Sequence, residues 1–262
     1  MIYTHKGHSI YYEVKGEGNT PTLLFLHGVT MNHKTFDSQV SELEKVYRVI
    51  LVDLPSHGHS SYLRNHRDYS KTCAQLAAGL LNHLNIEQAV FVGQSLGSLI
   101  VSHIAYLYPE KVLATVHIGG AGLYPKASRL YKVMLPFVSP LIFAIPKRKL
   151  FQVFARHKAL TEETRSYMEQ ASSETGRRVM IDVTKSMIRE MAEGLPTPVK
   201  QPSLIVYGDH EAGFVKRMSR KMNETLPDSR LRVISQAHHI ANQDNPEAFN
   251  HELIEFVETL KE

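Results

Sequence analysis

Short apolar runs alternate with longer amphipathic stretches along most of this chain. Runs of this kind are typical of strands buried on both faces of a parallel sheet. Together with one run of alternating pattern, they predict strands at 9–14, 22–26, 49–52, 89–92, 113–118, 203–207 and 231–234. Apolar residues at helical spacing predict helices near 36–46, 70–84, 96–108, 215–226 and 246–260. This order predicts an α/β fold with a mostly parallel, doubly wound sheet.

One segment departs from this alternation. Residues 121–202 show helical periodicity but no strand periodicity, and they lie between a glycine pair and a group of prolines. We therefore expect residues 1–120 and 203–262 to form the α/β core. Residues 121–202 are expected to form a helical cap that is inserted into this core.

The predicted cap contains an unusually apolar stretch at residues 133–146. Its three prolines, Pro136, Pro140 and Pro146, predict that the stretch is not one continuous helix. It is also too short to span a bilayer, which takes about 20 residues. Because basic residues follow at 147–149, contact with an anionic lipid surface is one interpretation. Packing against the protein's own core is the more common use of such a stretch, and we expect it here.

Composition limits the class of protein. The chain has 262 residues, of which 43% are hydrophobic, and a net charge of +4, which suits one folded domain and predicts no nucleic-acid partner. Residues 121–200 hold fourteen Lys and Arg against seven acidic residues, so they carry +7 and the rest of the chain −3. Without a signal-peptide pattern or a run of about 18 apolar residues, we expect a cytoplasmic protein. Nothing in the sequence specifies an oligomeric state.

Ser95 lies in a turn that suits a catalytic nucleophile. The run from Gly93 to Gly97 has the pattern Gly-x-Ser-x-Gly and joins a predicted strand to a predicted helix. The two glycines allow a tight reversal that holds the serine side chain at a helix N-terminus. A serine hydroxyl needs a base to take its proton, and that base works best when a carboxylate orients it. His239, on the loop after the last predicted strand, is the candidate base.

The chain resembles the α/β-hydrolase-fold enzymes through four motifs in the family's order. These are the serine turn, His27-Gly28 after an early strand, the turn at 53–60 that is similar to Asp-x-Pro-Gly-x-Gly-x-Ser, and the loop at 239–250. The resemblance covers most of the chain outside the cap, and it implies a serine hydrolase with Ser95 as nucleophile and His239 as base. His238 stands where the family usually has glycine. The seven-residue spacing to Pro246 favours His239 over His238.

The acid of the triad has two candidates. The family places it after the strand that precedes the cap or after the strand that follows the cap. Residues 119–122 follow the first of these strands and contain no carboxylate. After the second strand, Glu211 lies three residues beyond Gly208, where the family usually has Asp. Asp209 is the alternative, since a slip of one residue at the strand end would exchange the two.

Attack on a carbonyl also needs donors for the oxyanion. By resemblance these are the backbone amides of Val29 and Leu96, in an oxyanion hole. His27 is expected to fix its loop by hydrogen bonding rather than to act in catalysis. The pair His57 and His59 falls inside the turn at 53–60, so we predict no metal site there. We also predict no cofactor, because the short glycine pattern near residue 16 lacks a third glycine and a following helix.

The expected reaction is hydrolysis of a carboxylic ester through an acyl-enzyme, as in a carboxylesterase or small lipase. The predicted cap is rich in methionine and phenylalanine, which favours a hydrophobic acyl group: Met134, Met168, Met180, Met187, Met191, Phe137, Phe143, Phe151 and Phe154. C–C bond hydrolases, lactonases and cofactor-free peroxidases with the same triad are alternatives. A ligand receptor without enzyme activity is another.

Overall fold

The computed structural model describes residues 1–64, 67–120, 122–124, 132–133 and 135–261. Within these residues one eight-stranded sheet has the order β1-β2-β4-β3-β5-β6-β7-β8. The strands are β1 Ile2–His5, β2 His8–Lys15, β3 Thr22–Leu26, β4 Arg48–Val52, β5 Ala89–Gln94, β6 Val112–Ile118, β7 Ser203–Gly208 and β8 Ser229–Ile234. All neighbouring pairs from β4 to β8 are parallel, whereas β1 and β2 join the sheet in antiparallel pairs.

Helices cover both faces of the sheet. They are α1 Asp37–Leu43, α2 Tyr69–His83, α3 Leu96–Leu107, α4 Leu135–Ala144, α5 Lys147–Arg156, α6 Glu162–Thr175, α7 Arg177–Glu193, α8 Gly213–Thr225, α9 Ala241–Asp244 and α10 Pro246–Glu258. Short 3₁₀ helices lie at His33–Phe36 and Pro109–Lys111.

The alternation of side chains along each strand divides the core into two apolar layers. In β3, Leu24 and Leu26 pack in one layer, which includes side chains of α2 and α3. Leu23 and Phe25 pack in the other, which includes side chains of α1 and α10. Because both faces are covered, the central strands are apolar at nearly every position, which is the pattern that predicted them.

The structure confirms the predicted α/β fold and its mostly parallel sheet. All seven predicted strands are present, with ends that differ by at most two residues. Strand β1 was not predicted, because it is short, lies at the edge of the sheet and has only Tyr3 buried. Helix α9 was also not predicted, since a single turn of four residues carries no helical periodicity.

Helices α4 to α7 occupy the chain between the paired strands β6 and β7, where the cap is predicted. Helix α7 packs directly on the core, with Val179 and Val183 in the same apolar layer as α2 and α3. Ser186 Oγ accepts a hydrogen bond from the backbone amide of Tyr69 at 3.2 Å. The segment is therefore tied to the core through α7, and Leu150, Phe151 and Met180 also form a small apolar cluster within it. Met134 lies outside the described residues.

The apolar stretch agrees with its prediction in one respect and differs in another. Residues 133–146 do not form one continuous helix, because α4 runs from Leu135 to Ala144 and ends before Pro146, although it continues through Pro140. Pro140 lacks the amide that would bond to the carbonyl of Pro136, and its ring crowds that carbonyl, which typically costs about 3 kcal/mol. Only Val138 of this helix is buried. The expectation that the stretch packs into the core is therefore wrong. Among the described residues, no helix is both long and apolar enough to cross a bilayer.

Candidate active site

Loops after parallel strands bring the predicted site residues to one edge of the sheet. Leu26 at the end of β3 pairs with Gly93 of β5, and Gly208 at the end of β7 pairs with Ile234 of β8. The loops that follow these strands therefore start side by side. In open α/β sheets this carboxyl edge is where ligands bind.

Ser95 lies in a strained turn between β5 and α3. Its φ of 52° and ψ of −105° are unusual for a residue with a side chain and cost about 1–3 kcal/mol. A Cβ on Gly93 would overlap the backbone of Gly97, and a Cβ on Gly97 would overlap the carbonyl oxygen of Leu26. The amide of Ser95 donates to the carbonyl of Ile118 at 2.8 Å. Both glycines are thus required by close packing around the serine.

Three side chains from three loops form one hydrogen-bonded chain. Ser95 Oγ lies 2.9 Å from Nε2 of His239, and His239 Nδ1 lies 2.7 Å from Oε2 of Glu211. His239 is 6% exposed and Glu211 is 3% exposed, so water competes weakly for these bonds. When Nδ1–H donates to the carboxylate, Nε2 is left to accept the proton of the serine hydroxyl.

The structure brings Glu211 to the imidazole and places Asp209 elsewhere. Glu211 Oε1 also accepts the backbone amide of Ala212 at 2.7 Å, which fixes the second oxygen. The Asp209 side chain is 38% exposed and bonds to the amide of Ala237 at 3.0 Å and to His210 at 2.7 Å. The amide of Ala237, followed by His210, holds the pKa of Asp209 at about 2. Asp209 therefore joins two loops at the surface.

His238 faces away from the serine. Its Nδ1 accepts the backbone amide of His239 at 2.8 Å, and its own amide donates to Asp244 at 2.9 Å. Adjacent residues on an extended segment point in opposite directions, so only one of the two imidazoles reaches Ser95. Of the two histidines, His239 is the one that the structure brings to the site.

Burial and nearby charges set the protonation of the site. Burial lowers the pKa of His239 below its usual value, the charge of Lys158 lowers it further, and Glu211 opposes both. Burial is the largest single influence on Glu211 and opposes its ionisation, but the hydrogen bond and charge of His239, the amide of Ala212 and the charge of Lys158 together lower the pKa of Glu211. Near neutral pH the arrangement therefore combines a neutral imidazole with a carboxylate, which is the state that a general base requires.

The two predicted oxyanion donors lie at the starts of adjacent segments. Leu96 is the first residue of α3, where amides have no partner within the helix, and Val29 follows β3 in the loop beside it. Within the described part of the chain, neither amide donates a hydrogen bond. Gly28 lies directly against the side chains of Gln94 and Met31, so the Val29 loop packs closely beside the serine turn.

Gly119 is a site residue that sequence reasoning did not identify. It has a φ of 54°, and a Cβ there would overlap the carbonyl oxygen of His239 and crowd Glu211 Oε2 at 3.3 Å. The absence of a side chain at Gly119, directly after β6, therefore leaves room for His239 and Glu211. The glycine pair at 119–120 was visible in the sequence, but we interpreted it only as a boundary and as lacking a carboxylate.

The predicted cap contacts the histidine loop directly. The amide of His239 donates to the carbonyl of Lys158 at 3.0 Å. The buried carboxylate of Asp244 accepts the amides of Leu160 and Thr161 at 3.0 Å, in addition to that of His238. The position of residues 158–161 is therefore linked to the position of the imidazole. No sequence motif pointed to Lys158 or Asp244 in this role.

His27 fixes its loop, as predicted. Its Nδ1–H donates to the carbonyl of Gly28 at 2.8 Å, and its Nε2 accepts the amide of Leu54 at 2.9 Å. Burial lowers the pKa of His27 to about 4, so the ring is neutral. These bonds join the Val29 loop to the turn at 53–60.

One group of side chains within the described residues has metal-ligand chemistry. Ligand atoms of His33, Asp53 and His59 lie within 4.8 Å of one another. Asp53 already accepts hydrogen bonds from His33 Nδ1 at 2.8 Å and from the backbone amides of both histidines at 2.7 and 2.9 Å. The arrangement holds the turn together through a buried carboxylate. His57 belongs to a separate contact, in which its Nε2 accepts the amide of Thr30 at 3.1 Å.

Apolar side chains adjoin the histidine and the Val29 loop. Met31, Ala155, Met168 and Ile240 belong to one buried cluster, and partly buried Phe154 packs against it. Ile240 directly follows His239, and the amide of Met31 donates to the carbonyl of Gly28 at 3.3 Å. The surroundings of the hydrogen-bonded chain on this side are therefore apolar.

Comparison with known proteins shows the same fold. The model of the family described as alpha/beta hydrolase fold matches residues 21–246. The chain is 25% identical to a pimeloyl-[acyl-carrier protein] methyl ester esterase from Vibrio vulnificus, over 94% of this chain and 97% of that protein. Among solved structures, an esterase from Exiguobacterium antarcticum has a TM-score of 0.83 at 20% identity, covering 98% of each chain. The enol-lactonase from Burkholderia xenovorans has a TM-score of 0.80 at 18% identity, covering 98% of this chain and 99% of that one.

Proposed function

Since the chain belongs to the alpha/beta hydrolase fold family, we propose that it is an enzyme that hydrolyses carboxylic esters through an acyl-enzyme on Ser95. The observation that carries this proposal is the continuous hydrogen-bonded chain from Ser95 Oγ through His239 to Glu211. The relative named as a methyl ester esterase, which aligns over nearly its full length, supports ester bonds as the substrate class.

In the first half-reaction, His239 Nε2 takes the proton of Ser95 as the serine oxygen attacks the ester carbonyl. Glu211 orients the imidazole and stabilises its positive charge. The amides of Val29 and Leu96 donate to the oxyanion, and losing one such donor usually costs about 3 kcal/mol. His239 then gives the proton to the leaving alcohol.

In the second half-reaction, the same imidazole activates water. The water oxygen attacks the acyl carbonyl, its proton passes to His239 Nε2, and the proton returns to Ser95 as the acid leaves. Each half-reaction begins and ends with a neutral imidazole. The lowered pKa of His239 supports this cycle near neutral pH.

We assign the acyl group to the hydrophobic class. The buried cluster of Met31, Met168 and Ile240 adjoins both the imidazole and the Val29 loop. Methionine side chains adapt to differently shaped apolar groups. A long or bulky acyl chain would bury apolar surface there, whereas a sugar or phosphate would leave polar groups without partners.

The test is a series of p-nitrophenyl esters from acetate to palmitate, with the wild type and Ser95→Ala. We expect hydrolysis that is abolished by Ser95→Ala, with a higher kcat/KM for medium or long chains than for acetate. Ser98→Ala is the matched control, because its hydroxyl bonds to the buried His117 rather than to His239. Inactivity of the wild type on every ester, or activity retained by Ser95→Ala, would contradict the proposal. A kcat/KM that falls with chain length would contradict only the hydrophobic assignment.

A further inference from the structure

Helix α4 leaves an apolar surface uncovered. Phe137, Leu141 and Phe143 of this helix are 53%, 58% and 61% exposed, and Val133 just before it is 58% exposed. We call these four residues the apolar cap face. No residue of α4 carries a charge. A helix that is apolar on all sides is normally buried, and exposed apolar patches of this kind mark binding surfaces.

Two of the four residues form one stripe. Phe137 and Leu141 are four residues apart in α4, which places their side chains in a row, and Val133 lies before the helix. On its other side, α4 packs against α7 and, through Ile142, against Leu150 of α5. The stripe therefore remains outside after the helix has made its internal contacts.

Basic side chains flank the apolar cap face. Lys132 precedes it and is 42% exposed, although it pairs with Glu193 at 3.2 Å. Lys147 and Lys149 follow α4 and are exposed. Arg177 lies over the ring of Phe143, at 5.4 Å from its centroid. Residues 121–200 carry a net charge of +7, whereas the rest of the chain carries −3. An anionic surface therefore attracts this part of the molecule more than the rest.

Apolar packing continues from this face to the active site. Ile142, next to the stripe, packs in a cluster with Leu150 and Phe151. Phe154 packs against that cluster and also against the one that contains Ile240, the residue after His239. The apolar cap face is therefore joined to the surroundings of His239 by continuous apolar packing.

We propose that the apolar cap face binds anionic lipid bilayers and that the enzyme draws its ester substrate from the bilayer. The stripe would enter the boundary between headgroups and acyl chains, with the flanking lysines against the anionic headgroups. Binding itself depends only on the surface, whereas the delivery of an ester rests on the proposed function.

Vesicle flotation tests the binding. We expect the wild type to float with vesicles of phosphatidylcholine and phosphatidylglycerol, and to float at least 10-fold less with phosphatidylcholine alone or at high salt. Phe137→Gln/Leu141→Gln and, separately, Lys147→Glu/Lys149→Glu should each lower flotation at least 10-fold. Val46→Gln/Val233→Gln is the matched control, because both residues are about half exposed and lie outside the cap. It should float like the wild type.

Several results would overturn the binding proposal. The first is that the wild type does not float with anionic vesicles, and the second is that the wild type and both cap variants float equally. The third is that the wild type binds no vesicles and forms a dimer in sedimentation that the Phe137→Gln/Leu141→Gln substitutions dissociate. Circular dichroism checks that each variant is folded, and the lysine variant tests the face independently if the glutamine variant does not fold.

Ser95→Ala separates binding from catalysis, since it should float like the wild type. For delivery, we expect the cap variants to lose at least 10-fold in rate on an ester carried in anionic vesicles and to keep their rate on p-nitrophenyl acetate in solution. An unchanged rate on the vesicle-borne ester would overturn delivery. If the wild type floats but hydrolyses no ester at all, the proposed function fails while the lipid surface stands.

Discussion

Replacing Glu211 by Gln removes the charge beside His239 while keeping the shape of the side chain. Glu211 now accepts two hydrogen bonds, at 2.7 Å from His239 Nδ1 and at 2.7 Å from the amide of Ala212. A glutamine has only one accepting oxygen for these two donors. If the oxygen stays on Ala212, the amide nitrogen faces Nδ1 and forces the ring proton onto Nε2. His239 then has no lone pair for the proton of Ser95.

The size of the effect follows from this geometry. A carboxylate about 4 Å from the centre of an imidazolium stabilises it by about 4 kcal/mol at an effective dielectric constant of about 20, which is a factor of about 10³ in rate. The wrong tautomer adds to this loss. We therefore expect kcat of Glu211→Gln to fall by about 10⁴-fold, the usual scale for this change in a triad.

The assay is kcat on a soluble p-nitrophenyl ester, with active sites counted by a fluorophosphonate. Asp209→Asn is the matched control, because asparagine retains an oxygen for the amide of Ala237 and the side chain does not reach the imidazole. It should stay within about 3-fold of wild type, as surface substitutions do. The assignment of Glu211 is refuted if Glu211→Gln keeps kcat within 10-fold of wild type, or if Asp209→Asn loses as much as Glu211→Gln.

Three further predictions follow from contacts of the site. Because a protonated imidazole cannot act as a base and burial lowers the pKa of His239, the acid limb of kcat/KM should lie below pH 6.5, the usual histidine value. Lys158→Met should move this limb to higher pH, and an unshifted pH profile would count against Lys158 as its cause. Asp244→Asn weakens buried charge-assisted hydrogen bonds from three backbone amides, so it should lower the free energy of unfolding by about 2 kcal/mol and also lower kcat. Urea unfolding checks the first effect, and a stability equal to wild type would contradict it. Gly119→Ala should reduce kcat at least 100-fold, since its Cβ meets the carbonyl of His239. Gly176→Ala is the control, because Gly176 also has a positive φ but open space around it, and this variant should leave kcat unchanged. If both variants change kcat equally, backbone strain alone is responsible.

Local patterns were enough to predict the sheet and the serine turn. Strands such as β3 and β5 are buried at every position and apolar at most of them because helices cover both faces, and that pattern survives in the linear sequence. The turn at Ser95 is visible because close backbone packing, within the turn at Gly93 and against β3 at Gly97, excludes side chains at both positions. These features depend on neighbours in sequence or on burial, so residue types alone predict them.

The choice between Glu211 and Asp209 required the tertiary structure. The two residues are two positions apart, and both follow β7. Which of them meets His239 depends on how the loops after β7 and β8 pack together, where the amide of Ala237 bonds to Asp209 and leaves Glu211 turned inward. A residue pattern holds no information about that packing.

The cap illustrates the same limit. Its helical character was predicted, but the exposure of α4 and the bonds from Asp244 to residues 160–161 were not. The sequence by itself determined the order of strands and helices, the serine turn and the candidate base, because periodicity and turn chemistry act locally. Only the tertiary structure decided which carboxylate reaches His239, why Gly119 must lack a side chain and which apolar helix stays exposed, because these depend on contacts between segments far apart in the chain.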